Sequence, residues 1–447
     1  VTTSKNEPFV PTLKQLPPAS LYVVAYSGGV DSHVLLHWLA GQRDALAADL
    51  AAVHVDHQLQ AQSAAWTAHC RAVCDALQIS FSSLQIDASA APGESPEAAA
   101  RAARYAALAD WLPDGAVLLT AQHRDDQAET VLLQLLRGAG PRGLAAMPVL
   151  AAFGRGVLVR PFLSLQRAQI LEYARRQHLH WVEDPSNEDT RFDRNLLRHQ
   201  VLPLLQSRWP AVGRVLARAA DLQADQAELA GELARQDLRV CQRGDQADRL
   251  DCQALRRLAV SRQRNVLRHW IEGNAFPLPS RDVLEQLRSR VVEARADACP
   301  LLHWPGAELR RYRDTLYLMA PQAELDGRRR YAWDLAGPLC LAAAGGTLCA
   351  TAVQGAGLRV PSGARVDIRF REGGERLQPA GRAGHHSLKH LFQEWAVPDW
   401  ERARVPLIYA GDQLAAVAGL CICEGFQASG SETGYLLHWS RLDQSRD

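Results

Sequence analysis

Three short stretches of the 447-residue sequence carry side chains whose types and spacing suit chemistry more than packing. The first is Ser27-Gly28-Gly29-Val30-Asp31-Ser32. Paired glycines let a backbone turn sharply and approach a ligand with no Cβ in the way. Successive N–H groups of such a turn, with the positive end of a following helix, make an anion nest. Ser27 and Ser32 add hydroxyl donors, and Asp31 suits a magnesium ion held directly or through water. The same residues also suit a tight strand-to-helix turn with an Asp or Ser cap, and the stretch alone leaves both readings open.

The second stretch, 120–130, places His123, Asp125, Asp126 and Glu129 within two helical turns. Acidic residues in a first turn favour the helix dipole whatever else they do. A histidine with three carboxylates at the mouth of a nucleotide-binding sheet would also bind magnesium or an ammonium group and take protons. The third stretch, 183–195, leads into Arg191, Arg194 and Arg198. From Arg191 to Arg218 there are six arginines and one acid, Asp193. A run of this kind is either a solvated helix face or a stripe that follows RNA phosphates.

These residues need elements to position them. Segment 21–26 (LYVVAY) is a continuous apolar run, as a buried parallel strand should be. Helix is expected at 34–39, further strands at 50–55, 79–86, 117–120 and 157–163, and helices at 94–112 and 126–137. That alternation predicts a wound α/β domain with a parallel sheet covered on both faces, over roughly 20–210. Beyond Pro210 the pattern turns helical at 211–240, 252–272 and 280–296. A β-hairpin signal follows at 308–311 and 315–319, then a Gly-rich, β-like region with one helix near 387–395. Three domains are expected: a catalytic α/β domain over 1–212, a helical domain over 213–330 and a small α+β domain over 331–447. GxGxxG at 138–143 follows a helix where a dinucleotide loop must follow a strand, and is rejected as a cofactor loop.

Composition narrows the class: 47% hydrophobic, 22% charged and 6% aromatic residues describe a globular chain. No run of about 18 apolar residues predicts a membrane span. The Pro-rich, polar start lacks the apolar core of an export signal. Nine scattered cysteines without a CxxC pair exclude the commonest zinc-ribbon and thioredoxin-like spacings and fit free thiols in a reducing cytoplasm. Net charge is +1, so the balance alone does not mark the whole chain as a polyanion binder, yet arginine supplies 47 of the 50 cations. Arginine pairs with phosphate in two-pronged fashion better than lysine.

SGGVDS is not a Walker A loop, since GxxxxGK[ST] is absent; it resembles the PP-loop of ATP pyrophosphatases. With VHVDHQL (53–59), EAAARAARY (97–105), TAQHRDDQAETVLLQLLRGAGPRGL (120–144) and EDPSNEDTRFDRN (183–195), in this order, the chain resembles tRNA(Ile)-lysidine synthetases. Segment 371–406 is similar to the family's C-terminal domain. The resemblance implies adenylation by ATP of the wobble cytidine of a CAU anticodon, then displacement of AMP by L-lysine, with ATP, Mg2+ and an isoleucine tRNA as ligands. It implies ATP contacts from Ser27, Gly28, Gly29, Val30, Asp31 and Ser32. Catalytic roles fall to Asp31, His123, Asp125, Asp126 and Glu129, with Asp31 and Asp126 toward the metal. The tRNA contacts expected are Arg191, Arg194, Arg198, Arg371, Arg376, Arg382 and Lys389. Two positions depart from the family: Gln122 replaces a second histidine and cannot act as acid or base, and Gln58 replaces a common glycine. The rivals are a PP-loop tRNA thiolase and a catalytically dead RNA-binding scaffold. Oligomeric state is left open, a homodimer being compatible with the sequence.

Overall fold

A short strand that is apolar at every position is stable only when both of its faces are covered. The computed structural model describes residue 9 and residues 11–56, 63–87, 96–244, 246–295, 298–361 and 365–441. The chain divides into two compact units, 1–230 and 231–447. In the first, β1 (Leu21–Ala25), β2 (Asp49–Asp56), β3 (Ser80–Gln85), β4 (Val117–Leu119), β5 (Leu150–Phe153) and β6 (Gly156–Val159) form one sheet in the order β3-β2-β1-β4-β6-β5. All neighbours run parallel except the edge strand β5, which is antiparallel to β6.

Side chains alternate across the sheet, as the pleat requires. Tyr22 and Val24 join Val34, Leu35, Phe162 and Ile170 in one core. Val23, between them, joins Leu108, Leu112, Leu118 and Leu158 in the core of the opposite face. The helices Val30–Ala40, Pro96–Trp111 and Arg167–Arg176 supply Val34, Leu35, Leu108 and Ile170 to these cores.

The chain runs outward from β1 to β2 and β3, then returns to β4 on the other side of β1. Neighbouring strands that lead off in opposite directions leave a crevice at their carboxyl ends, where ligands bind in open α/β sheets. Ser27–Ser32 follows β1 and His123–Glu129 follows β4, so two of the three chemical stretches flank that crevice.

One expected strand is shorter than its apolar run. The segment read as 157–163 leaves the sheet after Val159, because Pro161 has no N–H to donate and Phe162 turns into the core, fully buried. β5 was not anticipated from sequence. It pairs with β6 from Leu150↔Val159 to Phe153↔Gly156. Gly156 is required there, since a Cβ would lie 2.1 Å from the Ala116 carbonyl oxygen.

The second unit is antiparallel. Arg249–Asp251, Leu301–Trp304, Ala307–Tyr312 and Thr315–Met319 make a four-stranded sheet, and the expected hairpin pairs Tyr312 with Thr315. The helix expected over 252–272 is two helices, Cys252–Arg256 and Val260–Gly273, parted where Ala259 takes ψ 150°. Five- and three-stranded sheets follow, with the helix Leu388–Glu394 capped by the Ser387 hydroxyl. Among the described residues no helix is long and apolar enough to cross a membrane.

The helix behind the phosphate loop carries a buried histidine, His33, whose ring faces Tyr26 and His69. Burial first, then the neighbouring His69 and His37, push its pKa down to about 4; His180 also adjoins it. A histidine whose folded pKa lies below its unfolded value stabilises fully above the unfolded pKa, and that contribution is lost as pH falls toward the folded one. Between pH 7.5 and 5 the wild type should lose about 2 kcal/mol through this group, at 1.36 kcal/mol per pKa unit. Urea unfolding of wild type and His33→Gln at both pH values checks this: the variant's stability should fall less steeply. Equal slopes would show that His33 does not carry the effect.

Candidate active site

After β1 the chain reaches Tyr26, buried, and then turns at Gly28 with φ +83°. An added Cβ at Gly28 would lie 3.0 Å from the Cys70 sulfur, so this turn excludes a side chain twice over, by conformation and by contact. The turn is fixed from within: Ser32 Oγ accepts from Ser27 N–H (3.2 Å), lies 3.0 Å from Ser27 Oγ and donates to the Gly29 carbonyl (3.1 Å). Gly29 is the N-cap of helix Val30–Ala40 and contributes no side-chain cap. The first-turn N–H groups are therefore presented at the crevice, as anion binding requires.

After β4 the chain passes Thr120, Ala121 and Gln122 to His123, which caps helix Arg124–Leu136 reciprocally. His123 Nδ1 accepts from Asp126 N–H (3.4 Å), and Asp126 Oδ2 accepts from His123 N–H (3.0 Å). That leaves Nε2 facing Asp126 Oδ2 at 3.4 Å and Asp31 Oδ2 at 3.8 Å. The imidazole thus joins the loop after β1 to the loop after β4. Burial opposes charge on His123, but Asp126, Asp31 and Asp125 outweigh it and raise its pKa. Asp125 turns partly away and accepts from Arg167 N–H (2.9 Å) at the start of another helix.

The third stretch closes the site. Glu129, 1% exposed, accepts from Arg194 Nε (2.7 Å), Arg198 Nε (2.7 Å) and Arg198 Nη2 (3.0 Å). Asp126 Oδ1 accepts from the Nη2 of Arg194 (3.1 Å) and of Arg198 (3.0 Å). Burial works against charge on Asp126, Arg194 and Arg198, yet the pairing wins: the Asp126 pKa is lowered and those of both arginines are raised. Arg191 lies outside it, on the surface, paired with Asp189 (2.7 Å). Asn195, buried, donates to the carbonyls of Ser186 (2.9 Å) and Asp189 (3.0 Å) and so holds the preceding loop in place.

A cavity of about 550 Å³ brings together Ser27, Asp31, Ser32, Asp126, Arg194 and Arg198. Asp31 Oδ1, Thr120 Oγ1 and Gln122 Oε1 are buried without a hydrogen-bond partner, and all three residues line this cavity. Unsatisfied buried polar atoms converging on one space mark a ligand site. Arg101, Arg104 and Tyr105, on one face of helix Pro96–Trp111, line it too. The sequence signal for them was only their place in EAAARAARY. Asp56, buried at the end of β2, is also in the lining, whereas His57 and Gln58 lie outside the described residues.

Among the described residues no three His, Cys, Asp or Glu side chains are arranged to hold a metal. Magnesium needs less, since one or two carboxylates plus substrate phosphates suffice. The partnerless Oδ1 of Asp31 beside the phosphate loop fits that requirement.

In the second unit, Arg371 pairs with Glu375 (3.7 Å), Arg376 donates to the His385 carbonyl (3.2 Å) and Arg382 pairs with Glu394 (2.9 Å). Lys389 is exposed on the Leu388–Glu394 helix. Arg402 is buried and donates to the Val397 carbonyl (2.9 Å) and to Tyr312 Oη (3.3 Å), a packing role.

Residues 4–205 match the family model of a PP-loop domain, 250–317 that of a TilS substrate binding domain and 366–439 that of a TilS substrate C-terminal domain. The chain is 44% identical to a tRNA(Ile)-lysidine synthase of Coxiella burnetii, over 97% of this chain and 96% of that one. It is 43% identical to one of Methylococcus capsulatus, over 95% and 97%. Among solved structures, a U34-tRNA thiolase from Methanococcus maripaludis is 15% identical, with TM-score 0.41 over 48% of this chain and 74% of that one.

The Gly28 geometry has a measurable consequence. Gly28→Ala forces a left-handed residue, at roughly 1–2 kcal/mol, in addition to the Cys70 contact. Adding Cys70→Ala should remove the contact but not the backbone cost. Thermal unfolding should place the double variant between Gly28→Ala and Cys70→Ala. Full recovery would mean that the turn tolerates a side chain.

Proposed function

The chain belongs to the tRNA(Ile)-lysidine synthase family, and from that premise we propose that it ligates L-lysine to the wobble cytidine of the CAU anticodon of a minor isoleucine tRNA. ATP adenylates the carbon-2 oxygen of the cytidine with loss of pyrophosphate, and the ε-amine of lysine then displaces AMP. Codon reading changes from AUG to AUA. The observation that carries this reading is the convergence of phosphate loop, acidic helix start and arginine segment on one cavity.

Each group then has a task. The N–H groups and hydroxyls of Ser27, Gly28, Gly29, Val30, Asp31 and Ser32 hold the phosphates. Asp31 and Asp126 would hold magnesium, which when bound offsets phosphate charge. Asp125, Asp126 and Glu129 supply negative charge for the lysine ammonium. His123 holds a proton at Nε2 between two carboxylates and is placed to exchange it. Arg191, on the surface, approaches the anticodon backbone, while Arg194 and Arg198 are held at the cavity by Asp126 and Glu129; Arg371, Arg376, Arg382 and Lys389 make placed contacts elsewhere on the tRNA. Residues 1–212 form the catalytic domain, and 213–330 and 331–447 the tRNA-binding domains of a cytoplasmic enzyme.

Neither close pair of cysteines offers the thiolase alternative a reactive sulfur. Cys70 and Cys74 are buried with thiols pushed up to about 12, and Cys421 and Cys423 are raised to about 11 and about 12, in each case chiefly by burial. A thiol held protonated is a poor nucleophile.

Incubation with ATP, labelled lysine and a CAU-anticodon tRNA should carry label into the RNA; sulfur incorporation without lysine would replace this reading. Asp31→Ala and Ser32→Ala should abolish pyrophosphate release while tRNA binding persists. Asp126→Asn and Glu129→Gln should raise the lysine KM, since loss of one partner of a desolvated charge costs about 2–5 kcal/mol. Unchanged adenylation and lysine use in both would confine these residues to holding Arg194 and Arg198.

A further inference from the structure

Two of the three carboxylates assigned to lysine, Asp126 and Glu129, are already occupied. Glu129 receives three guanidinium N–H bonds, and Asp126 Oδ1 receives two, from Arg194 and Arg198. Two acids and two arginines sum to zero, so an ammonium group meets little net attraction from Asp126 and Glu129 themselves. Both arginines nevertheless line the same cavity as Ser27, Asp31 and Ser32, and Arg198 is close enough to Asp31 for their charges to interact. Arg198 also stands in a π-helical turn, Leu197–Val201, a rare form of helix that is frequent at functional sites.

We propose that Arg194 and Arg198 are a displaceable clamp: without nucleotide they neutralise Asp126 and Glu129, and a triphosphate at the phosphate loop draws them away and frees those carboxylates for the lysine ammonium. The proposal rests on the lysine-ligase reading above. A guanidinium fork fits two phosphate oxygens as well as it fits a carboxylate. Even with magnesium bound, a triphosphate brings about as much negative charge as Glu129 and Asp126 together, in a cavity where charges are weakly screened. The exchange leaves the arginines paired and the acids available. Nucleotide and lysine therefore bind with positive coupling, and the coupling acts by the same factor in both directions.

Equilibrium dialysis of labelled L-lysine against the full-length chain, with and without a saturating non-hydrolysable ATP analogue and magnesium, tests the clamp. The lysine Kd should fall about tenfold with the analogue, and the analogue's Kd should fall equally with saturating lysine, within the range usual for coupled sites. Arg198→Met should bind lysine without nucleotide more tightly than wild type and show coupling below about twofold. If that variant does not fold, Arg198→Lys, which keeps the charge but lacks the fork, should show reduced coupling. An unchanged lysine Kd in wild type with the analogue bound overturns the clamp, as does failure to bind lysine with the analogue present. Either result can coexist with lysine entering tRNA, whereas failure of label to enter the RNA overturns the reading on which the clamp rests.

Discussion

Glu129 sits in the second turn of its helix with 1% of its surface exposed, and it is tenable there because two guanidiniums approach it. Taking a carboxylate out of water costs several kcal/mol unless good geometry and further hydrogen bonds repay it. Here the repayment comes from a segment 65 to 69 residues away in sequence. The same contacts tie helix Arg124–Leu136 to 193–201 and, through Asn195, to the loop that begins at Glu183. His123 carries the connection on to Asp31 and the phosphate loop. One buried cluster of opposite charges thus places three chemical stretches around one cavity.

The sheet makes this possible by its order. β1 and β4 are neighbours, paired from Tyr22↔Val117 to Val24↔Leu119, although 91 residues separate the ends of Ala25 and Val117 only through two outward crossovers. Their loops emerge side by side at the crevice. A change in strand order would separate His123 from Asp31 without altering either motif.

That distinction explains what could be read in advance. The apolar runs of β1, β2 and β4 have one stable environment, so the parallel sheet was legible, whereas the glycine pair suited a phosphate loop or a tight turn and only the resemblance of SGGVDS to a PP-loop chose between them. β5 was not, because a half-exposed edge strand of four residues has no periodic signature. The split at Ala259 was hidden for a similar reason: helical spacing continues through the three residues, 257–259, that part the two helices. Arg194 and Arg198 were legible as part of a basic run, but their partners were not, since nothing local specifies a bond across 65 residues. In the C-terminal segment the same charge count conceals two kinds of arginine. Arg402 is buried against Tyr312 as a packing group, while Arg382 stays near the surface.

The central claim is that Glu129 and Arg198 act as one energetic unit, and a double-mutant cycle measures it directly. Removing one partner of a buried ion pair typically costs about 3–5 kcal/mol, because the other charge is left uncompensated, whereas removing both costs much less. Unfolding free energies of wild type, Glu129→Gln, Arg198→Met and the double variant should therefore show the double variant destabilised by less than the sum of the singles. A gap of about 2 kcal/mol or more is the result this structure predicts. Additive effects within about 0.5 kcal/mol would contradict it and leave the site without its organising interaction.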